Sequence, residues 1–359
     1  MKVLKMMQSS ISGKAQTVTG LIDGSELGIT LPHEHLFIDM RFRMPEPADS
    51  EEAKLAHQKI TMENLWFARY NRFSVEDNLL FDDEAMAISE AMYFKKAGGS
   101  TIVDVTSNNI GRQPESLVRV SRATGLNIIM GTGYYIAPSY TPEMVSKTEE
   151  EIADEFIREV TTGVGNTGIK AGIIGEIGMS WPIAAEERKA LRAAGIAQQE
   201  TSAAVNVHPG IYGDAPFECV KILEEVGADL SRVVISHVER SLPIGARSTR
   251  AKLAEKGCYL EIDLFGTDVV RFHPDMFPYD VPNDAIRVNE VMELIADGFL
   301  DQVLISQDVC FKVLLRKYGG GGYSHILKFV LPRMRSKGMT EEQINTILVE
   351  NPRRINTFV

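Results

Sequence analysis

Six side chains in this sequence have the types and spacing to share one piece of chemistry. His33 and His35 stand two apart in LPHEHLFID. His208 ends AAVNVH, His237 ends RVVISH, Asp308 ends VLISQD, and Glu176 lies in AGIIGEIG. Neutral imidazole and carboxylate are the usual ligands of zinc, iron and manganese. Two ions need more than four protein ligands and an anion between them, and Glu176 is the natural bridge. Two divalent ions would keep an intervening water ionised near neutral pH. Such a hydroxide attacks an acyl carbon, one ion polarises the carbonyl oxygen, and Asp308 takes the proton and hands it to the leaving group. Zinc is the first expectation, with manganese, iron and cobalt accepting the same ligands.

These residues need a scaffold that gathers positions 33 to 308 on one face. Short apolar runs bounded by turn residues recur at 28–31 (running into His35), 100–106, 127–133, 171–177, 203–208, 232–237, 259–263 and 302–308. They are mostly free of alternation, as strands buried on both faces should be. Helical patterns at 82–97, 186–199, 216–226, Asp284–Ala296 and 323–335 lie between them. Eight strands alternating with helices predict an α/β protein of the (β/α)8 TIM-barrel type, whose active sites lie at the C-terminal ends of the strands. A doubly wound sheet is the alternative, but no GxGxxG follows the first strand. In a strand, positions i and i+2 point to the same side, so His33 and His35 face the barrel axis together. Residues 3–27 read as a small hairpin before strand one. The charged and aromatic stretch 45–81 reads as a helical insertion over the barrel mouth. No linker composition or internal repeat marks a second domain, so residues 1–359 are read as one.

The 359 residues are 44% hydrophobic and 24% charged, as in ordinary globular proteins. With 49 acidic against 38 basic side chains the formal charge is −11, which argues against nucleic acid as the main partner. No stretch approaches a membrane span, and residues 1–16 hold no signal-like apolar run. Cys219, Cys258 and Cys310 are too few and too scattered for a disulfide framework or a CxxC zinc site, and read as small buried residues. A cytoplasmic protein acting on a small molecule is expected, with a homodimer admitted.

The motifs HEH, AGIIGEIGMSWP, VHPG, SHVER, GCYLEIDLFGT, QD and KYGGGGYSHIL together resemble the phosphotriesterase family of the amidohydrolase superfamily, nearest its phosphotriesterase-related branch. The resemblance spans nearly the whole chain. It implies a barrel, two divalent metals and a hydrolytic reaction. By this resemblance His33, His35, Glu176 and Asp308 would hold the buried metal, and Glu176, His208 and His237 the more exposed one. Phosphotriesterases proper bridge their metals with a carbamylated lysine on strand four, where this chain reads Gly175–Glu176. Lys170, six residues earlier, is expected at the wrong end of that strand. The acid that shuttles protons after the strand-six histidine in those enzymes is also not evident, since Val238, Glu239 and Arg240 stand there. A binuclear hydrolase of carboxylic esters, lactones or acyl amides is therefore favoured over an organophosphate hydrolase or a ligand-binding barrel that does no chemistry.

Around the metals, Tyr135 could donate its hydroxyl to a substrate oxygen or simply pack as an aromatic residue. Arg271 and His273 follow strand seven in a loop of the kind that carries specificity, although a surface role is open to each. Lys312 follows strand eight and could hold an anionic group or remain solvated. Glycines 319–322 read as a flexible turn, and His325 as a packing residue. Trp66, Phe67 and Tyr70 read more readily as core than as a cap on the pocket.

Overall fold

The computed structural model describes residues 11–268 and 280–359. Eight strands run parallel: β1 Thr30–Glu34, β2 Thr101–Asp104, β3 Asn127–Thr132, β4 Ile173–Gly178, β5 Val205–His208, β6 Val233–Ile235, β7 Tyr259–Ile262 and β8 Val303–Ile305. Each hydrogen-bonds to the next in chain order. They are buried on both faces, which is why their sequences are apolar runs without alternation. Helices such as Glu84–Lys96, Ala185–Thr201, Ala215–Glu225 and Asp284–Ala296 surround them, so the expected (β/α)8 barrel is present. Sequence cues set the helix starts. The Asp83 carboxylate accepts from the Met86 amide, and Thr148 with Glu151 forms a capping box at Glu149–Thr161.

Side chains close the barrel between β8 and β1. The His33 amide donates to Ser306 Oγ at 3.2 Å. The buried Glu34 carboxylate accepts from Ser306 Oγ (2.8 Å), Gln307 N (2.9 Å) and Val309 N (2.9 Å). The second residue of HEH thus ties the segment carrying Asp308 to the strand carrying the two histidines. The pairings of β1 with β2 and of β4 with β5 each break register near their C-terminal ends, beside His33, His35 and Glu176. Such irregularities turn side chains out of the regular ladder.

The hairpin Lys14–Thr17/Gly20–Asp23 covers the other end of the barrel, where the Val18 amide donates to Ile128 O at 2.8 Å. Lys170 precedes β4 at that end. Two residues on, a Cβ at Gly172 would meet the hairpin's Gln16 carbonyl at 2.3 Å. The insertion contains helices Ser50–Ala56 and Leu65–Tyr70 and returns through Leu80–Phe81, which pairs with Ile38–Asp39. It is tied to the segment after β8, because Asn78 Oδ1 accepts from the Val313 amide at 3.0 Å.

Three features depart from the sequence expectation. The helix expected at 323–335 is a 3-10 turn Gly322–Ser324, a π segment Ile326–Val330 and an α-helix Leu331–Ser336. Pro332 has no N–H for the regular ladder, and the wider π turn keeps Ile326 and Val330 in the core. Helices Pro114–Thr124, Glu149–Thr161 and Arg247–Ala254 are additional to those expected, being rich in Ser, Thr and charge on their outer faces. Trp66 and Tyr70 are 58% and 55% exposed, while Phe67 is buried. The three cysteines are free and buried. Among the described residues, no helix is long and apolar enough to cross a membrane.

Candidate metal centre

At the C-terminal mouth of the barrel, β1, β4, β5 and the segments after β6 and β8 deliver the six expected side chains to one point. Three overlapping trios have ligand atoms within 4.8 Å of one another: His33–His35–Asp308, His33–His237–Asp263 and Glu176–His208–His237. Glu176 lies between the sets. Its Oε2 is 2.8 Å from His208 Nδ1, 3.4 Å from His237 Nε2 and 3.6 Å from His33 Nε2. Its Oε1 is 3.7 Å from His35 Nε2. Asp308 Oδ1 stands 3.3 Å from His35 Nε2 and 4.0 Å from His33 Nε2.

The local backbone is built for this placement. His237 and Asp308 hold left-handed conformations, φ +55° and +45°, which side-chain-bearing residues seldom adopt. Gly175, at φ +131°, lies against β5 where a Cβ would sit 2.3 Å from the Asn206 carbonyl. A larger residue there would push Glu176 away from His208.

A layer of acceptors behind the histidines sets their tautomers. Thr106 Oγ1 spends its proton on the Phe37 carbonyl at 2.9 Å, so it accepts from His35 Nδ1 at 2.8 Å. His33 Nδ1 donates to Glu261 at 3.1 Å and His237 Nδ1 to Asp263 at 2.7 Å. In its neutral form each ring then presents an Nε2 lone pair to the centre. His208 is reversed, with Nδ1 facing the centre and Nε2 facing outward to Arg240 at 2.9 Å. His33 Nε2 is buried without a hydrogen-bond partner. A buried ring nitrogen with no hydrogen-bond partner is costly, and a divalent ion fits that donor set.

The charges agree. Burial raises the carboxyl of Glu176, but His208, His237 and His33 overcome this and hold it well below the ordinary carboxylate range. Burial likewise opposes ionisation of Asp308, and His35, His237 and His33 hold it low. Burial lowers His33, yet Glu261, Asp263 and Glu176 keep it well above the ordinary imidazole value. Burial and Arg240 push His208 well down. The metal-free centre therefore sets ionised carboxylates against imidazoles that hold protons, which a bound divalent ion would displace.

A cleft opens above these residues, lined among others by Tyr135, Arg43, Arg72, Arg240, Phe73 and Phe311. Tyr135 is where the sequence reading put it, its hydroxyl 3.4 Å from the nitrogens of His208. Lys312 is elsewhere, with its ammonium on Asp77 at 2.9 Å, away from the cleft lining. Asp77, a buried acid in the insertion, attracts it more strongly than the solvated mouth could. Arg271 and His273 lie outside the described residues. His325 is paired with Asp284 at 2.6 Å, and His57 with Glu76 at 2.9 Å. The glycine run is packed, since a Cβ at Gly320 would lie 2.0 Å from the Leu314 carbonyl. Glu239 is turned away from the centre, its Oε1 accepting from the Leu264 amide at 2.7 Å.

The three arginines and the supporting acids Glu261 and Asp263 were not singled out from sequence. Glu261 and Asp263 did carry a signal. They stand at i and i+2 at the end of strand seven, the same arrangement as His33 and His35, and so face the same interior.

A (β/α)8 barrel with four histidines and two carboxylates at the C-terminal ends of its strands defines a metal-dependent hydrolase scaffold. Comparison with known proteins narrows the class. The model of the phosphotriesterase family matches residues 13–356, and the chain belongs to that family. It is 43% identical to the phosphotriesterase-related protein of Nematostella vectensis over 97% of this chain and 99% of that protein. It is 41% identical to the N-acetyltaurine hydrolase of Homo sapiens over 98% and 99% of the two chains. Among solved structures, a resiniferatoxin-binding protein from Rhodobacter sphaeroides superposes with a TM-score of 0.92 at 38% identity, covering 96% of this chain and 95% of that one. The chain is a metal-dependent hydrolase.

Proposed function

We propose that the chain hydrolyses a small carboxylic acyl compound on a binuclear centre, with an N-acyl amide first among ester, lactone and amide. The observation that carries this reading is Glu176, whose two carboxylate oxygens face different histidines at the junction of the ligand trios. His33, His35, Glu176 and Asp308 would hold one divalent ion, and Glu176, His208 and His237 the other, zinc being the first candidate. When bound, the two ions supply Lewis acidity and ionise the attacking water at neutral pH.

The protein's own groups do the rest. Asp308 is ionised at neutral pH and, with its side chain 13% exposed, is open to the cleft. It can take the proton of the attacking water and deliver it to the leaving nitrogen. Burial and Glu176 push the Tyr135 phenol up, so it stays protonated and can donate to the acyl oxygen as negative charge builds there. Phe73, Phe311 and Ile38 give the cleft walls that exclude water from the acyl group.

The amide is placed first because a relative 41% identical over nearly the full length acts as an N-acetyltaurine hydrolase. The phosphotriester alternative is disfavoured because the acid expected after the strand-six histidine is not offered by Glu239, which is held at the Leu264 amide. The test is a screen of zinc-loaded protein against N-acetyl amides, lactones and paraoxon-type esters. Turnover of N-acetyl amides above the other two is expected. Preferential organophosphate turnover, or no turnover of any class, would overturn the reading.

A further inference from the structure

Lys312 is a buried cation that the metal centre does not use. Its ammonium lies 2.9 Å from Asp77 Oδ1, and both side chains are buried. A buried ion pair costs desolvation on both partners, and an apolar pair of the same volume would hold the fold as well. What a charged pair adds is registry, because it is satisfied in one geometry. Asp77 is held from both sides. Its Oδ2 accepts from the Ile60 amide at 3.0 Å, and its Oδ1 also accepts from Lys59 at 2.7 Å. Burial opposes ionisation of Asp77, and Lys59, the Ile60 amide and Lys312 hold it below the ordinary aspartate value.

This contact belongs to a seam between the insertion and the segment after β8. Asn78 Oδ1 accepts from the Val313 amide at 3.0 Å, and its Nδ2 donates to the Arg72 carbonyl at 2.9 Å. Arg69 Nη2 donates to the Gly319 carbonyl at 2.8 Å. The two segments meet again at the cleft. There the rings of Phe73 and Phe311 stand edge to face, with centroids 5.1 Å apart and planes at 90°. Both rings line the cleft together with Asp308. Phe311 directly precedes Lys312, and Phe73 directly follows Arg72, whose carbonyl Asn78 holds. One edge-to-face contact is too weak to fix two chain segments by itself.

We propose that Lys312 and Asp77 are a positioning pair, which fixes the insertion against the segment after β8 and thereby sets the Phe73–Phe311 wall against which the apolar part of a substrate packs. The proposal rests on the reading above, in which substrate binds in this cleft on a metal centre. Lys312 touches no substrate and acts through its neighbour Phe311. Lys59 shares the same Asp77 oxygen, but it is exposed and lies within the insertion, so it ties nothing across the seam.

Two unreactive zinc-binding probes that differ by two methylenes, acetohydroxamate and butyrohydroxamate, test this by calorimetry. Each fully buried methylene is worth about fourfold in affinity. The probes are titrated into zinc-loaded wild type, K312M, D77N and K59M, with zinc content and urea unfolding measured alongside. Hydrogen exchange of residues 309–315 is followed by mass spectrometry in the same proteins. The wild type should bind butyrohydroxamate at least about threefold more tightly than acetohydroxamate. K312M and D77N should bind acetohydroxamate like the wild type, lose most of the preference for the longer chain, and exchange faster at 309–315. K59M should match the wild type. No chain-length preference in the wild type, or a full preference with unchanged exchange in K312M, would overturn the proposal. So would equal weakening of both probes, because the pair would then serve the metal centre and not the wall. A K59M effect as large as that of K312M would overturn it too. If K312M does not fold, D77N, which keeps the shape of the carboxylate, decides. If the zinc-loaded wild type binds neither hydroxamate, the metal-centre reading fails, and the exchange rates of K312M and D77N alone decide for or against the pair.

Discussion

Glu176 and His237 show how the surroundings of one residue decide its chemistry. Glu176 is buried, which alone would keep it neutral, yet three imidazoles hold it ionised. Replacing it by Gln keeps its volume and removes the charge that offsets two cations, so E176Q should fall from two bound metals toward one. K170R should keep two, because Lys170 sits at the hairpin end of the barrel. Metal analysis of the purified variants decides the point, and metal loss in K170R with two ions kept in E176Q would favour a lysine-derived bridge. His237 gives a pH dependence. Burial pulls it down, but Asp263 prevails and holds it at about 9 against an ordinary 6.5. A raised histidine stabilises the metal-free fold fully below about 6.5, and that stability fades as pH climbs through about 9. The same proton occupies the Nε2 lone pair, so zinc must expel it. Zinc affinity should therefore rise with pH up to about 9, with proton release below that. Calorimetry in buffers of different ionisation heat measures both, and affinity that stays flat from pH 6.5 to 9 would contradict the assignment.

At the scale of elements, the strands were legible because burial on both faces leaves a simple trace, a short apolar run between turn residues. The six ligand candidates were legible for a related reason, since each stands at the end of such a run. The arginines were not. Arg72 belongs to the insertion, Arg43 to a 3-10 turn after β1, and Arg240 to a single helical turn after His237, and no periodicity assigns a direction to side chains in such segments. Lys312 was misleading for the same reason, because its partner Asp77 lies 235 residues away. The closure of the barrel was equally hidden, since it depends on Glu34, a charged residue inside a strand. Its carboxylate holds Ser306, Gln307 and Val309, and through them the backbone of Asp308. E34A should cost about 3 kcal/mol of stability by stranding buried donors. It should also weaken zinc binding by loosening Asp308. Urea unfolding of the metal-free variant tests the first effect, and a change under about 0.5 kcal/mol would mean that the closure does not depend on this carboxylate.

The whole molecule divides its labour between two ends. The hairpin, the C-terminal residues and the packed strand starts hold one end together, where the Phe358 amide donates to the Lys14 carbonyl at 2.9 Å. The other end gathers histidines, acids and arginines from segments scattered along the chain, with the insertion bound to the loop after β8. An acidic chain with an acidic, histidine-rich centre at the mouth of its barrel is suited to taking up cations. On the proposed reading, two ions at this centre are the root of function. The most direct measurement is therefore a zinc titration of metal-free protein, following hydrolysis of an N-acetyl amide as a function of zinc bound per chain. Activity should stay low through the first equivalent, rise across the second and level off at two zinc ions per chain. Full activity at one equivalent, or activity independent of zinc, would contradict the binuclear account.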